Sequence, residues 1–156
     1  LAIGTGNPAA DAATVDLFGR LAAEARVAGI PIGAEVYPVT NGPISPDSFH
    51  DLVWRSCRIA SELGADFVKT FYTGPRFSEV IEAAPIPVIV LGADKMDESK
   101  ALAMAEAGIS AGARGVVFGR NVFECDRPQA FLDALGRVVR EGVDSSLVAR
   151  EAGFRV

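Results

Sequence analysis

Residues 65–74 read ADFVKTFYTG and set Lys69 at the end of a short apolar run, where a solvated cation is out of place. Ala65, Phe67 and Val68 before it have the character of a parallel strand buried by its neighbours, and such strands carry charge mainly at their ends. A lysine desolvated there, or set beside other cations, falls in pKa from about 10.4 toward neutrality, and its free amine can attack a carbonyl. The other reading is a rim lysine whose stem lies on apolar surface while its head stays in water. Glycines supply a second kind of chemistry. LGADK and GRNVF place Gly92, Ala93 and Gly119 where backbone N–H groups can approach an anion closely, and Arg120 adds a guanidinium suited to phosphate. These residues read as a phosphate cradle, although glycine after a strand is equally ordinary turn chemistry.

The elements that must hold these groups follow from period. Short apolar runs at 1–5, 32–37, 67–70, 88–91 and 116–119 read as strands. Amphipathic stretches at 9–28, 47–63, 77–82, 97–111 and 128–140 read as helices, closing on glycine in AGIP, LGAD and AGARG. Strict alternation forces parallel pairing with right-handed crossovers, hence a doubly wound sheet or a (β/α) barrel. Five units do not close a barrel, whose eight-stranded form takes about 250 residues. A chain opening on an apolar strand without Met suggests that the first part of a barrel is absent. A complete chain would instead need an open sheet, or a partner covering its first strand. In either architecture chemistry gathers where strands run out, here at TGNP, YPVTNG, KTFYTG, LGADK and GRNVF.

Bulk composition narrows the function. A chain of 156 residues that is 49% hydrophobic suffices for one well-buried domain. A net charge of -5 argues against nucleic acid or an anionic membrane as partner. No apolar run reaches membrane-spanning length and no leader pattern is evident, so a cytoplasmic location is expected. Cys57 and Cys125 lack CxxC spacing and His50 is the single histidine, which disfavours a zinc site or a Cys–His nucleophile. Cys57 reads as a small core residue and His50 as a surface or packing residue.

ELGADFVKTFYTG, PIPVIVLGADK and GARGVVFGRNVF together resemble the archaeal-type class I fructose-bisphosphate aldolases and their relatives. That group includes an autoinducer-processing thiolase, a heptulosonate-type aldolase and the more distant deoxyribose-phosphate aldolases. The resemblance runs along essentially the whole chain, with KTxYTG and GRNVF its most specific segments. It implies an α/β fold, a (β/α)8 TIM barrel of which this chain supplies the last five βα units, residues 1–156 forming a single partial-barrel domain. It further implies that Lys69 is the Schiff-base lysine, that Tyr37 in AEVYP is the proton donor and acceptor, and that Gly92, Gly119 and Arg120 bind phosphate. Two departures stand out. Ala93 replaces the second glycine of a common GG pair, which leaves the backbone donor in place, and Glu35 replaces an aromatic two residues before the tyrosine. A carboxylate usually supplied by the family's first strand has no counterpart.

The implied activity is a metal-independent and cofactor-free class I aldolase acting on a phosphorylated sugar or keto compound. The alternatives are a thiolase or acyltransferase acting on a phosphorylated dione, and a non-catalytic phosphosugar-binding subunit. Homo-oligomers are common in the resembled family and are expected here. Lys95 could attract the phosphate or repel charge from Lys69, and equally fits a solvated loop. Tyr72 and Thr73 follow Lys69 so closely that one of them should line the pocket, unless both serve turn packing. Asp94 and Glu35 are carboxylates that could pair, though acidic loop residues are mostly solvated. Glu35 is the better candidate because alternation puts it on the same strand face as Tyr37.

Overall fold

A computed structural model describes residues 7–38 and 42–155. The expected strand at 1–5 and part of the YPVTNG run lie outside the described residues. Within them the order is α1 (Pro8–Ala28), β1 (Gly33–Glu35), α2 (Pro46–Glu62), β2 (Phe67–Thr70), α3 (Phe77–Ala83), β3 (Val88–Leu91), α4 (Glu98–Ser110), β4 (Gly115–Val117), α5 (Arg120–Phe123), α6 (Pro128–Glu141) and α7 (Ser145–Glu151). The strands lie in the order β1-β2-β3-β4, that of successive βα units. Contacts divide the chain into two compact units, Leu1–Ile89 and Val90–Val156.

In the first unit, local chemistry fixes the helix ends. Asn7 Oδ1 accepts the N–H groups of Ala9 and Ala10 at 3.2 and 3.3 Å, and Pro8 occupies the first helical turn, where its missing donor costs nothing. Gly29 closes α1 at φ 69°, a left-handed conformation that a side chain would strain. Ser45 and Pro46 repeat the N-terminal arrangement on α2. Strands β1 and β2 pair in parallel with Gly33 opposite Phe67, Ala34 opposite Val68 and Glu35 opposite Lys69. Two contacts hold that register. Asp66 Oδ2 accepts the Ile32 N–H at 2.8 Å, and the Phe67 ring lies so close over Gly33 that a Cβ there would sit 2.2 Å from it. Val53, Cys57, Ala60, Val68, Phe77 and Val80 are buried; Phe77, the largest, contributes about 3 kcal/mol by its burial.

In the second unit a core of Leu102, Ala105, Phe131, Leu135, Val138 and Val148 joins α4, α6 and α7. Gly108 lets α4 approach the strand, since a Cβ there would meet Val90 Cγ2 at 2.8 Å. The Arg127 guanidinium lies 4.8 Å from the Phe154 ring centroid and donates to the Ala152 and Gly153 carbonyls, fastening the last residues to the start of α6. Helices α5 and α7, of four and seven residues, were not expected from period. Among the described residues no helix is long and apolar enough to cross a membrane.

Candidate functional site

In the first unit, alternation gives the β1–β2 pair two faces. Ala34, Val36, Val68 and Thr70 are buried, while Glu35, Tyr37 and Lys69 reach the open face. The register sets Glu35 directly beside Lys69, and Glu35 Oε1 lies 2.9 Å from Lys69 Nζ. The lysine side chain is 29% exposed and the glutamate 53%, so the pair stabilises the fold by no more than about 1 kcal/mol. Stability is therefore not what this pair chiefly provides. Tyr37 is 56% exposed, its ring edge-on to Phe71 at 5.1 Å, and Phe71 in turn meets Phe49 at 5.4 Å. The tyrosine ring is thus packed on Phe71, and Glu35, Tyr37 and Lys69 share the open face of the strand pair.

The loop after β2 is anchored from behind. His50, expected on the surface or in packing, is 2% exposed, with Nδ1 2.8 Å from Thr73 Oγ1 and Nε2 3.3 Å from Glu79 Oε2. Arg76 lowers the pKa of the Glu79 carboxyl by two hydrogen bonds of 2.9 and 2.8 Å, against the opposing effect of burial. Thr73 accordingly belongs to the loop's anchorage. Tyr72 packs its ring against the buried Phe77 at 5.3 Å. The Cys57 thiol, against Thr70, is pushed up to about 12 by burial and stays a neutral core group.

In the second unit, the loop after β3 is built around a residue that sequence reasoning missed. Asn121, 1% exposed, donates through Nδ2 to the carbonyls of Gly92 at 2.7 Å and Asp94 at 3.2 Å, and accepts the Met96 N–H on Oδ1 at 2.9 Å. The available signal was an amide inside the apolar run VVFGRNVF, a place where a polar side chain needs partners. Gly92 is required by this clamp, since a Cβ would come within 3.0 Å of Asn121 Nδ2 and of the Phe118 ring. Ala93 takes φ 50°, the left-handed conformation that a second glycine would adopt freely. Asn121→Ala is expected to lower stability by about 2–3 kcal/mol, because it strips partners from three backbone groups. Urea unfolding midpoints check this, with an unchanged m-value indicating that stability alone has moved.

Around Gly119 the space is open, with nothing within 4 Å of a Cβ placed there. Arg120 bonds Asp94 through Nη1 at 2.6 Å, both side chains being well exposed. Lys95 turns to Glu98 at 2.9 Å and to the Met96 carbonyl at 3.0 Å, and Glu98 raises its pKa. Its charge is already matched. Cys125, buried nearby, has a thiol raised mainly by burial. Among the described residues no cluster of His, Cys, Asp and Glu could hold a metal ion.

Comparison with known proteins adds to this geometry. The family model of DeoC/LacD family aldolases matches residues 7–125. A 3-hydroxy-5-phosphonooxypentane-2,4-dione thiolase of Klebsiella pneumoniae is 42% identical over 95 residues, 61% of this chain and 31% of that protein. An uncharacterised aldolase of Saccharolobus solfataricus is 35% identical over 149 residues, 92% of this chain and 54% of that protein. The structure of a Schiff-base-forming fructose-1,6-bisphosphate aldolase matches with a TM-score of 0.78 at 30% identity, covering 88% of this chain and 56% of the other. The chain therefore spans about a third to a half of the length of these curated relatives. Its parallel strands and intervening helices are those of part of a (β/α)8 barrel.

Proposed function

The chain belongs to the DeoC/LacD family of aldolases, and on that premise we propose that Lys69 forms a Schiff base with a phosphorylated ketone and that a carbon–carbon bond is cleaved or made through it. The observation that carries this reading is the lysine at a strand end, partly exposed, with Tyr37 presented on the same face. In the cleavage direction, the amine and the ketone carbonyl condense to an iminium with loss of water. The iminium then accepts the electron pair of the breaking carbon–carbon bond, giving an enamine, so the protein supplies its own electron sink and needs no metal. Tyr37 relays the proton of the hydroxyl on the departing carbon to the enamine carbon, so that one fragment leaves as an aldehyde and the other regains the iminium, which water hydrolyses to release the ketone. A cytoplasmic location and homo-oligomer formation, as in the resembled family, belong to the same reading.

Borohydride reduction in the presence of dihydroxyacetone phosphate tests it. The expected result is a stable adduct on the Lys69 peptide by mass spectrometry. Ligand binding without any adduct would favour a non-catalytic phosphosugar-binding subunit. The Klebsiella relative supports a second reading, acyl transfer from a phosphorylated dione, again on Lys69. Cleavage of a phosphorylated dione only when a thiol acceptor is present would favour that reading over the aldolase.

Gly92, Ala93, Gly119 and Arg120 are proposed to hold the phosphate. The open space at Gly119 and the exposed guanidinium of Arg120 support this role. A bound phosphate would replace Asp94 as the partner of Arg120, and giving up an exposed ion pair costs little. Arg120→Ala is therefore expected to weaken a phosphorylated ligand by about 2 kcal/mol, the scale of a charge-assisted hydrogen bond, and to leave its dephosphorylated analogue unaffected. Equal loss for both ligands, or no loss for either, would take Arg120 out of the site and leave it as Asp94's partner. Calorimetric titration of the matched pair decides.

A further inference from the structure

We propose that Glu35 is a catalytic residue that carries the protons of imine formation between Lys69 and the departing carbonyl oxygen. This rests on the Schiff-base reading above and assigns a step that reading leaves without a proton carrier. The strand register makes Glu35 and Lys69 direct neighbours, and Glu35 Oε1 stands 2.9 Å from the nitrogen that must react. Among the described residues Glu35 alone forms an ion pair with Lys69. Asp66, the carboxylate just before β2, is engaged with the Ile32 N–H. A hydrogen-bonded carboxylate with half of its surface in solvent can both take a proton from nitrogen and swing to deliver it to oxygen.

The step balances with no other reactant. Glu35 removes one proton from the Lys69 ammonium, and the freed lone pair attacks the ketone carbon while the carbonyl π pair moves to oxygen. The carboxylic acid returns that proton to the alkoxide and takes the second proton from nitrogen, giving the neutral carbinolamine. Glu35 then protonates the hydroxyl, the carbon–oxygen bond breaks with its electron pair on the leaving water, and the nitrogen lone pair closes the iminium. Ammonium and ketone have become iminium and water, and the carboxylate ends as it began. The cation beside Glu35 is an ammonium before the step and an iminium after it, so the carboxylate remains charge-matched at both ends. Tyr37, two residues further along the same face, is left for the substrate hydroxyl.

The test is the rate of borohydride trapping with dihydroxyacetone phosphate under rapid mixing. Glu35→Gln, which keeps the size and hydrogen bonding of the side chain, is expected to slow trapping about 100-fold with ligand affinity retained. Glu35→Ala should be similarly slow and should recover rate on addition of formate, a small carboxylate that can occupy the vacated space, whereas formate leaves the wild type unchanged. Wild-type trapping rates in Glu35→Gln would overturn the proposal while leaving the Schiff base standing. So would a slow Glu35→Ala that formate does not restore, because a residue that only props up Lys69 has no proton to be replaced. If the wild type itself gives no adduct at Lys69, the Schiff-base reading fails first and this proposal falls with it.

Discussion

Lys69→Met and Lys69→Arg should each abolish adduct formation and lower turnover by about 10⁴-fold or more, since neither a thioether nor a guanidinium can form the iminium. The chain has three lysines, and their settings separate them. Lys95 is paired with Glu98 and its pKa is raised, which keeps the amine protonated and unreactive. Lys100 is 73% exposed and paired with Asp97 on the first turn of α4. Only Lys69 extends from a strand, with a carboxylate 2.9 Å from its nitrogen. The substitutions should shift stability by about 1 kcal/mol or less, because the pair they break is half-exposed. Intact-protein mass after borohydride treatment, beside thermal melts of the three proteins, checks both expectations. An adduct of wild-type yield in either variant would move the chemistry to another lysine.

The parts of this arrangement that were legible in the sequence are those that depend on short-range pattern. The apolar run before Lys69 marked β2 at its observed bounds, and alternation put Glu35 and Tyr37 on one face, as found. The helix ends were legible because Gly29, Gly64 and Gly112 follow helices in left-handed conformations. What could not be read depends on partners distant in the chain. The pairing of Glu35 with Lys69 follows from a register set by Asp66 and by the Phe67 ring over Gly33, neither of which has a local signature. Asn121 bonds groups 25 to 29 residues away, and His50 meets Thr73 across 23 residues. Both are polar residues whose type admits a surface role, and only burial reveals what they hold. Lys95 offered two readings from its position after the glycine loop, attraction of a phosphate and a solvated loop, and a glutamate three residues on takes up its charge.

Tyr37→Phe should lower the rate of carbon–carbon cleavage about 100-fold while borohydride trapping at Lys69 proceeds at the wild-type rate. The separation follows from the geometry. Removing the hydroxyl leaves the ring on Phe71, so the substitution should alter stability by less than about 0.5 kcal/mol and leave β1 in place. The Glu35–Lys69 pair, to which condensation with the ketone is assigned above, keeps its 2.9 Å contact and its register. What is lost is the hydroxyl of a residue that is 56% exposed, the group to which transfer of the substrate's hydroxyl proton is assigned above. The variant should therefore accumulate the imine: trapped adduct rises early and persists, and aldehyde release lags. Single-turnover mixing with fructose 1,6-bisphosphate, quenched alternately with borohydride and acid, resolves the two steps. An unchanged cleavage rate would return Tyr37 to packing against Phe71. A parallel loss of trapping and cleavage would place it instead in the condensation step assigned to Glu35.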